Sequence, residues 1–252
     1  MERNIILCDL DGTLYQDGVP FDGIVESLNK LAQNGNNIYY MTNNSSLSIN
    51  EYTQKLSEIG FPCKKDRIIS PILIAKSYFK SSEYDYKNIY VSGSVSVKDE
   101  FFHGLQVNNN KSAPDCILMT FNKGLSYAEL QKICEWINDG IPYFLTHIDL
   151  SCPTAKGPIP DCGSIGELIF KTTNIRPLDH FGKPGDHYSN YISKFIKNSN
   201  AYVVGDRIYT DGDVGVKIGA KTIIVLTGET KESSSVEGIT FYDTAVDFFD
   251  TL

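Results

Sequence analysis

The chain has 252 residues, of which 41% are hydrophobic and 21% charged, and carries a formal net charge of −8. That length can bury a substantial core, in one large domain or in a domain carrying an inserted second one. The acidic balance argues against a nucleic-acid partner, whose phosphates demand a broad Lys/Arg surface, but it leaves room for a small anionic substrate met by locally gathered positive charge. No apolar run reaches the roughly 18 residues of a membrane span. The opening M-E-R-N-I-I-L-C-D also lacks a basic segment followed by a long apolar stretch and a cleavage site. A cytoplasmic protein with no membrane partner is expected. The six cysteines form no C-x-x-C pair and read as structural thiols; Cys152 and Cys162 flank a Pro/Gly loop, which keeps a redox pair or metal ligands as the weaker reading.

In chain order, Ile5 to Leu10 is a buried-strand candidate, Phe21 to Gln33 places Ile24, Leu28 and Leu31 at helical spacing, and Asn37 to Met41 reads as a second strand. A helix follows, opened by the capping-box spacing Ser48 to Glu51 and ended near Gly60-Phe61-Pro62. Asn88 to Ser92 is a short strand stopping at Gly93. Cys116 to Met119 is another, followed by a helix from Ser126 to Asn138 with Leu130, Ile133 and Ile137 on one face, and by a strand from Pro142 to Thr146. Pro153 to Gly166 reads as a long irregular loop, which in a compact domain is more often functional than idle. Ala201 to Gly205 and Thr222 to Leu226 are further strands, with a Gly-rich turn or helix between them. The alternation implies an α/β fold, a doubly wound parallel sheet covered on both faces. A smaller α/β domain is expected at 98–177, inserted into a core made of 1–97 and 178–252. Tyr127, Trp136, Tyr143 and Phe144 fit packing positions in that smaller domain.

The most informative segment is Asp9-Leu10-Asp11-Gly12-Thr13, placed where the first strand ends. At average composition D-x-D-G-T arises somewhere in such a chain with a chance of roughly 0.2%. Ligands of parallel sheets bind at the carboxyl ends of strands, so both carboxylates would be delivered to a site mouth. A solvated Asp/Gly turn is the bland alternative, and it does not explain two acids at the end of an apolar strand.

These residues resemble motif I of the haloacid dehalogenase superfamily, and the resemblance runs nearly the full length. Thr42-Asn43-Asn44-Ser45 looks like motif II of subclass IIA, the branch that includes nucleotide, p-nitrophenyl phosphate, pyridoxal phosphate and phosphoglycolate phosphatases. Gly182-Lys183-Pro184 looks like motif III, and Gly205-Asp206-Arg207 with Thr210-Asp211 looks like motif IV. The order matches the branch whose C2-type cap is inserted between motifs II and III.

The resemblance implies a Mg²⁺-dependent phosphatase of a small phosphorylated metabolite, a sugar, polyol, nucleotide or cofactor phosphate, with cleavage at the interface of core and cap; related caps often dimerise, so a homodimer through the cap stands open beside a monomer. Asp9 would be the nucleophile and Asp11 the acid and base; residues two apart on a strand share a face, which would keep both acids near one phosphorus. Asp9, the backbone carbonyl of Asp11 and Asp206 would hold Mg²⁺ as an all-oxygen set, with Asp211 orienting the shell and Asp213 leaving open which acids touch the ion. Thr42, Asn43, Lys183 and the Gly12 amide would bind the phosphoryl oxygens, with Asn44 beside them. His147-Ile148-Asp149 stands where relatives often carry Asn-Pro-Asp, so His147 and Asp149 are candidate substrate contacts; for His147 a core or surface position is an equal alternative. A phosphotransferase or phosphomutase using the same Asp9 is the rival. A glycosyltransferase would leave Gly-Lys-Pro and the second acidic motif unexplained, and a non-catalytic binding module would not need both Asp9 and Asp11.

Overall fold

The computed structural model describes residues 3–81, 86–102, 113–154, 156–197 and 199–252. Met1 and Glu2, which belong to the segment read for targeting, Ala155 of the expected loop, and 103–112 of the expected inserted domain lie outside them. No helix among the described residues is long and apolar enough to cross a membrane.

In chain order the strands are β1 (Ile5–Asp9), β2 (Tyr15–Gln16), β3 (Val19–Pro20), β4 (Asn37–Met41), β5 (Ile68–Ile69), β6 (Ile89–Ser92), β7 (Cys116–Met119), β8 (Tyr143–Leu145), β9 (Ser151–Cys152), β10 (Ile159–Pro160), β11 (Ala201–Gly205), β12 (Lys221–Val225) and β13 (Ile239–Tyr242). The helices are α1 (Ile24–Gln33), α2 (Ile49–Ile59), α3 (Pro71–Ser81), α4 (Val95–Phe102), α5 (Tyr127–Asn138), α6 (Cys162–Thr173), α7 (Asp186–Ile196), α8 (Asp213–Lys217) and α9 (Ala245–Phe249).

The chain divides into two units. The larger comprises the chain up to Thr42, Asn50–Ile69 and Lys183–Leu252. Its sheet has the order β13-β12-β11-β1-β4-β5, and every pairing in it is parallel. The five residues of β1 are all buried, as a strand covered on both faces requires. Because β1 lies between β4 and β11, the strand order reverses at its carboxyl end, the place where open α/β sheets bind ligands. Helix α1 turns Ile24, Leu28 and Leu31 inward.

The smaller unit comprises Asn43–Ile49 and Ser70–Gly182. Its parallel sheet β6-β7-β8 is covered by α5 and α6, whose Ile133, Ile137 and Ile169 join Tyr90, Ile117, Met119 and Trp136 in one core. This moves the expected boundary at 97/98. Residues 89–92 pair with β7 through a register from Ile89↔Cys116 to Ser92↔Met119, so β6 belongs to the smaller sheet, and α3 comes with it.

The expected irregular loop Pro153 to Gly166 is replaced by something more ordered. β9 and β10 pair antiparallel, and α6 begins at Cys162, with Asp161 as its N-cap accepting from the Cys162 amide. Trp136, Tyr143 and Phe144 are buried, but Tyr127, at the first turn of α5, is 82% exposed. All six cysteines are free thiols.

The segment before β9 is strapped onto the start of α6. The Gly163 amide donates to Asp149 O (2.9 Å) and the Asp161 amide to Leu150 O (3.1 Å). A Cβ on Gly163 would sit 2.2 Å from Ile148 O and 2.7 Å from Asp149 O. Gly163→Ala must therefore push α6 off the strap, and overpacking of this kind costs about 1–3 kcal/mol. The single tryptophan, Trp136, reports on this core, so its fluorescence in a urea titration should show a lower midpoint for the variant. An unchanged midpoint would mean that the strap yields freely.

Candidate active site

Asp9 ends β1, and the chain then turns tightly: the Leu10 carbonyl accepts from the amides of Thr13 (3.2 Å) and Leu14 (2.9 Å), and the Gly12 amide donates to Tyr15 O (2.8 Å). Asp11 thus lies in a turn, and the strand stops at Asp9. The expected shared strand face does not exist, and turn hydrogen bonds fix Asp11 instead. Gly12 has φ +90, and a Cβ on it would meet Asp206 Oδ2 at 2.7 Å, so the position demands glycine twice over.

Four charged side chains gather beside β1. Lys183 Nζ donates to Asp9 Oδ1 at 2.5 Å and to Asp211 Oδ1 at 2.6 Å, while Thr13 Oγ1 donates to Asp9 Oδ2 at 3.3 Å. Asp206 follows β11, and its Oδ2 accepts from the Glu229 amide at 2.6 Å. Asp9, Asp206, Asp211 and Lys183 are all buried. Thr42 directly follows β4, the other neighbour of β1, with its amide donating to Ile69 O. Asp211 reaches the cluster because Ile208–Gly212 winds as a π-helical turn; Asp213, the first residue of α8, is exposed.

Burial drives the electrostatics. It raises the Asp9 carboxyl, which Lys183 pulls back and the charges of Asp211 and Asp206 push further up. Burial alone would lower Lys183, but Asp211 and Asp9 outweigh it, so the ammonium keeps its proton. Asp206 is pushed up to about 6, first by burial and then by the charge of Asp211. Asp11 is raised by desolvation against Lys55, the Tyr15 hydroxyl, Arg207 and Lys183, while the residue keeps solvent access.

The residues expected to hold a cation fit one. Carboxylate oxygens of Asp9, Asp206 and Asp211 lie within 4.8 Å of one another. Asp206 Oδ1 is buried without a hydrogen-bond partner among the described residues, a costly state for an anion unless a cation meets it. The set is all oxygen, which suits a hard divalent ion. The Asp11 carboxylate is not part of this cluster.

The remaining predicted residues gather in the smaller unit. Asn43 Nδ2 donates to both oxygens of Asp149, at 3.3 and 3.2 Å. Asn44 Oδ1 accepts from the amide and hydroxyl of Ser46, a local turn. His147 is fully buried, with Nε2 2.8 Å from Asp161 Oδ1 and Nδ1 3.2 Å from Thr146 Oγ1. Both ring nitrogens are occupied, so of the two positions expected for His147 the structure takes the core one, where it ties Thr146 to α6, and the substrate contact is withdrawn. Two residues escaped the sequence reading. Asp161 gave no signal, because it stood inside the segment read as a loop, and only the structure shows a helix beginning after it. Tyr15 was findable: Asp17-Gly18, with φ values of 51 and 80, makes the hairpin turn of β2 and β3 and is a strong short-range hairpin signal.

The family model of haloacid dehalogenase-like hydrolases matches residues 6–104, and a second model of HAD-hydrolase-like sequences matches 180–246. A solved structure named putative NagD protein is 30% identical, with a TM-score of 0.90 over 99% of this chain and 98% of that one. The chain belongs to the haloacid dehalogenase-like hydrolases. Its core and cap match those of the family's NagD-like structures. Among relatives, the acid sugar phosphatase of Staphylococcus epidermidis is 28% identical over 88% of this chain and 86% of its own length. The glycerol phosphate phosphatase of Mycobacterium tuberculosis, solved in complex with magnesium, is 25% identical with a TM-score of 0.81, covering 90% of this chain and 69% of that one.

The raised Asp206 carboxyl makes cation binding pH-dependent. An acid with a raised folded-state pKa binds its proton more tightly folded than unfolded, so it favours the cation-free fold at low pH and loses that contribution as pH rises through about 6. A cation competes with the same proton. The gain in thermal midpoint on adding Mg²⁺ should therefore be larger at about pH 7.5 than at about pH 5. Equal gains at both would place the cation elsewhere.

Proposed function

We propose that this hydrolase is a Mg²⁺-dependent phosphatase that removes phosphate from a small sugar or polyol phosphate through an aspartyl-phosphate on Asp9. The observation that carries the reading is the setting of Asp9: a carboxylate at the end of the central strand, held through one oxygen by Lys183 and through the other by Thr13. Such a group is fixed and buried, and an ammonium beside it can attract a phosphoryl group. That the chain is a phosphoric monoester hydrolase agrees with the names of its relatives, and the acid sugar and glycerol phosphate phosphatases among them suggest the substrate class.

An Asp9 oxygen attacks phosphorus as the P–O bond to the leaving group breaks, and Asp11 gives its proton to the departing oxygen. Water then attacks the same phosphorus, passes a proton to Asp11 and releases inorganic phosphate, freeing Asp9. The raised pKa of Asp11 suits a group that must hold a proton before giving it up. Lys183 stays positive throughout and offsets the charge of Asp9 and of the phosphoryl oxygens, with Thr42 at the neighbouring strand end as a further donor. Asp9, Asp206 and Asp211 would hold Mg²⁺, which supplies the charge that lets a carboxylate approach a phosphate. Asp149, half-buried in the smaller unit, is the residue assigned to recognising the leaving group.

Asp9→Asn should lower phosphate release from sugar phosphates by about a thousandfold or more, as loss of a covalent nucleophile does, with an unchanged circular dichroism spectrum. Release at the wild-type rate would remove the covalent mechanism. Asp149→Ala should reduce kcat/KM on the best sugar phosphate by at least about tenfold more than on 4-nitrophenyl phosphate. Equal losses would make Asp149 a structural residue.

A further inference from the structure

Asp11 is the one carboxylate of the D-x-D pair that Lys183 does not hold, and it has solvent access in a turn. A short acidic side chain in that setting would sample several rotamers, yet proton transfer to a leaving oxygen requires one geometry held closely. What fixes it is visible in the hydrogen bonds. The Tyr15 hydroxyl is 3.3 Å from Asp11 Oδ2 and donates to it. Lys55, on α2, donates from Nζ to the same hydroxyl at 3.1 Å and stands 4.3 Å from the centre of the Tyr15 ring. All three residues lie in the larger unit.

The Tyr15 ring is itself held by packing. It is fully buried, its carbonyl accepts from the Gly12 amide, and its amide donates to Leu10 O. The two-residue hairpin beyond it, Tyr15↔Pro20 and Gln16↔Val19, anchors it from the other side. The phenol is thus a donor bolted to the same turn that carries Asp11. A hydroxyl has one hydrogen to give. With Lys55 supplying a hydrogen to the phenol oxygen, the phenol's own hydrogen is directed at Asp11 Oδ2. At 3.3 Å the contact is longer than the about 2.8 Å usual between oxygens, so its weight lies in direction rather than in strength.

We propose that Tyr15 and Lys55 are positioning residues for the general acid: the chain Lys55→Tyr15→Asp11 makes Oδ2 the accepting oxygen and so places the transferable proton on Oδ1, facing the leaving group. It rests on the reading of Asp11 as proton donor. The step it serves is the first one above, in which the P–O bond breaks and the Oδ1 proton passes to the departing oxygen while Asp9 becomes bonded to phosphorus. Neither Tyr15 nor Lys55 touches substrate in this account, and neither gains or loses a proton over the cycle.

The test uses the dependence of kcat/KM on the leaving group, because this ratio reports steps only up to leaving-group departure and is blind to the shared hydrolysis of the phospho-enzyme. Phenyl phosphate needs a proton donor more than 4-nitrophenyl phosphate, whose anion leaves unaided. In Tyr15→Phe and in Lys55→Met, the 4-nitrophenyl to phenyl ratio of kcat/KM should rise by about fivefold or more, a fraction of what a general acid supplies. A merely structural role would lower both substrates together, and any smaller change in the ratio overturns the proposal. If Tyr15→Phe unfolds, Lys55→Met on the outer member of the chain decides alone. Asp11→Asn is the reference. If it raises the ratio and the two variants do not, only the positioning chain falls. If Asp11→Asn itself leaves the ratio unchanged, Asp11 is not the proton donor and the chain falls with it.

Discussion

The arrangement around β1 depends on one ammonium. Three carboxylates converge within a few ångströms in a buried place, where like charges repel far more strongly than in water. Lys183 touches two of them at once. Removing a partner from a buried ion pair commonly costs several kcal/mol, since it leaves an unpaired charge. The third acid, Asp206, is handled differently: backbone donation from Glu229 holds one oxygen, and the other is left unmatched among the described residues. The site is therefore short of positive charge by about one cation. A divalent cation is the kind of group that would resolve that shortage.

Holding the shortage open takes backbone as well as side chains. A Cβ on Gly228 would fall 1.9 Å from Asp206 Oδ2, and one on Gly205 would fall 2.2 Å from Asp211 Cβ. Thr227 Oγ1 donates to Gly12 O, tying the turn after β12 to the turn after β1. Glycines at three strand ends let the chain close around the acids so tightly that no side chain can enter. The parallel sheet supplies the rest, because the ends of β1, β4 and β11 stand side by side in register.

Much of this was legible in the sequence, for a physical reason. A strand buried on both faces must be a continuous apolar run, so β1 and β11 announce themselves, and an acid at the end of such a run has nowhere to be but the sheet's carboxyl edge. The inserted unit was harder. Its strand β6 looks like the core strands and differs only in its pairing partner, which no local pattern encodes. The helix α6 was hidden because its opening, Asp161-Cys162-Gly163, is rich in turn-favouring residues; there Asp is a cap and Gly a close-packing site, and neither is a turn. For His147 the sequence left a substrate contact and a core position open, and the structure takes the core one. Sequence shows a titratable residue beside a candidate loop, and only the fold shows that Asp161 and Thr146 close over both nitrogens.

The two acids of the D-x-D pair end up chemically unlike although only one residue separates them. Asp9, on the strand, is raised by burial and by two neighbouring acids, and the Lys183 ammonium pulls it back toward the charged form, as a cation held by the same acids would. Asp11, beyond the strand's end, is raised by burial and pulled back first by Lys55 and then by the Tyr15 hydroxyl and Arg207. A carboxylate that must attack phosphorus has to be charged when substrate arrives, and one that must protonate a leaving oxygen has to be neutral at that same moment. Two identical side chains can meet both demands only if their surroundings differ, which is the general logic of paired catalytic acids. The end of β1 between the two residues produces the difference: it leaves the first inside the charged cluster and swings the second into the turn, toward Tyr15.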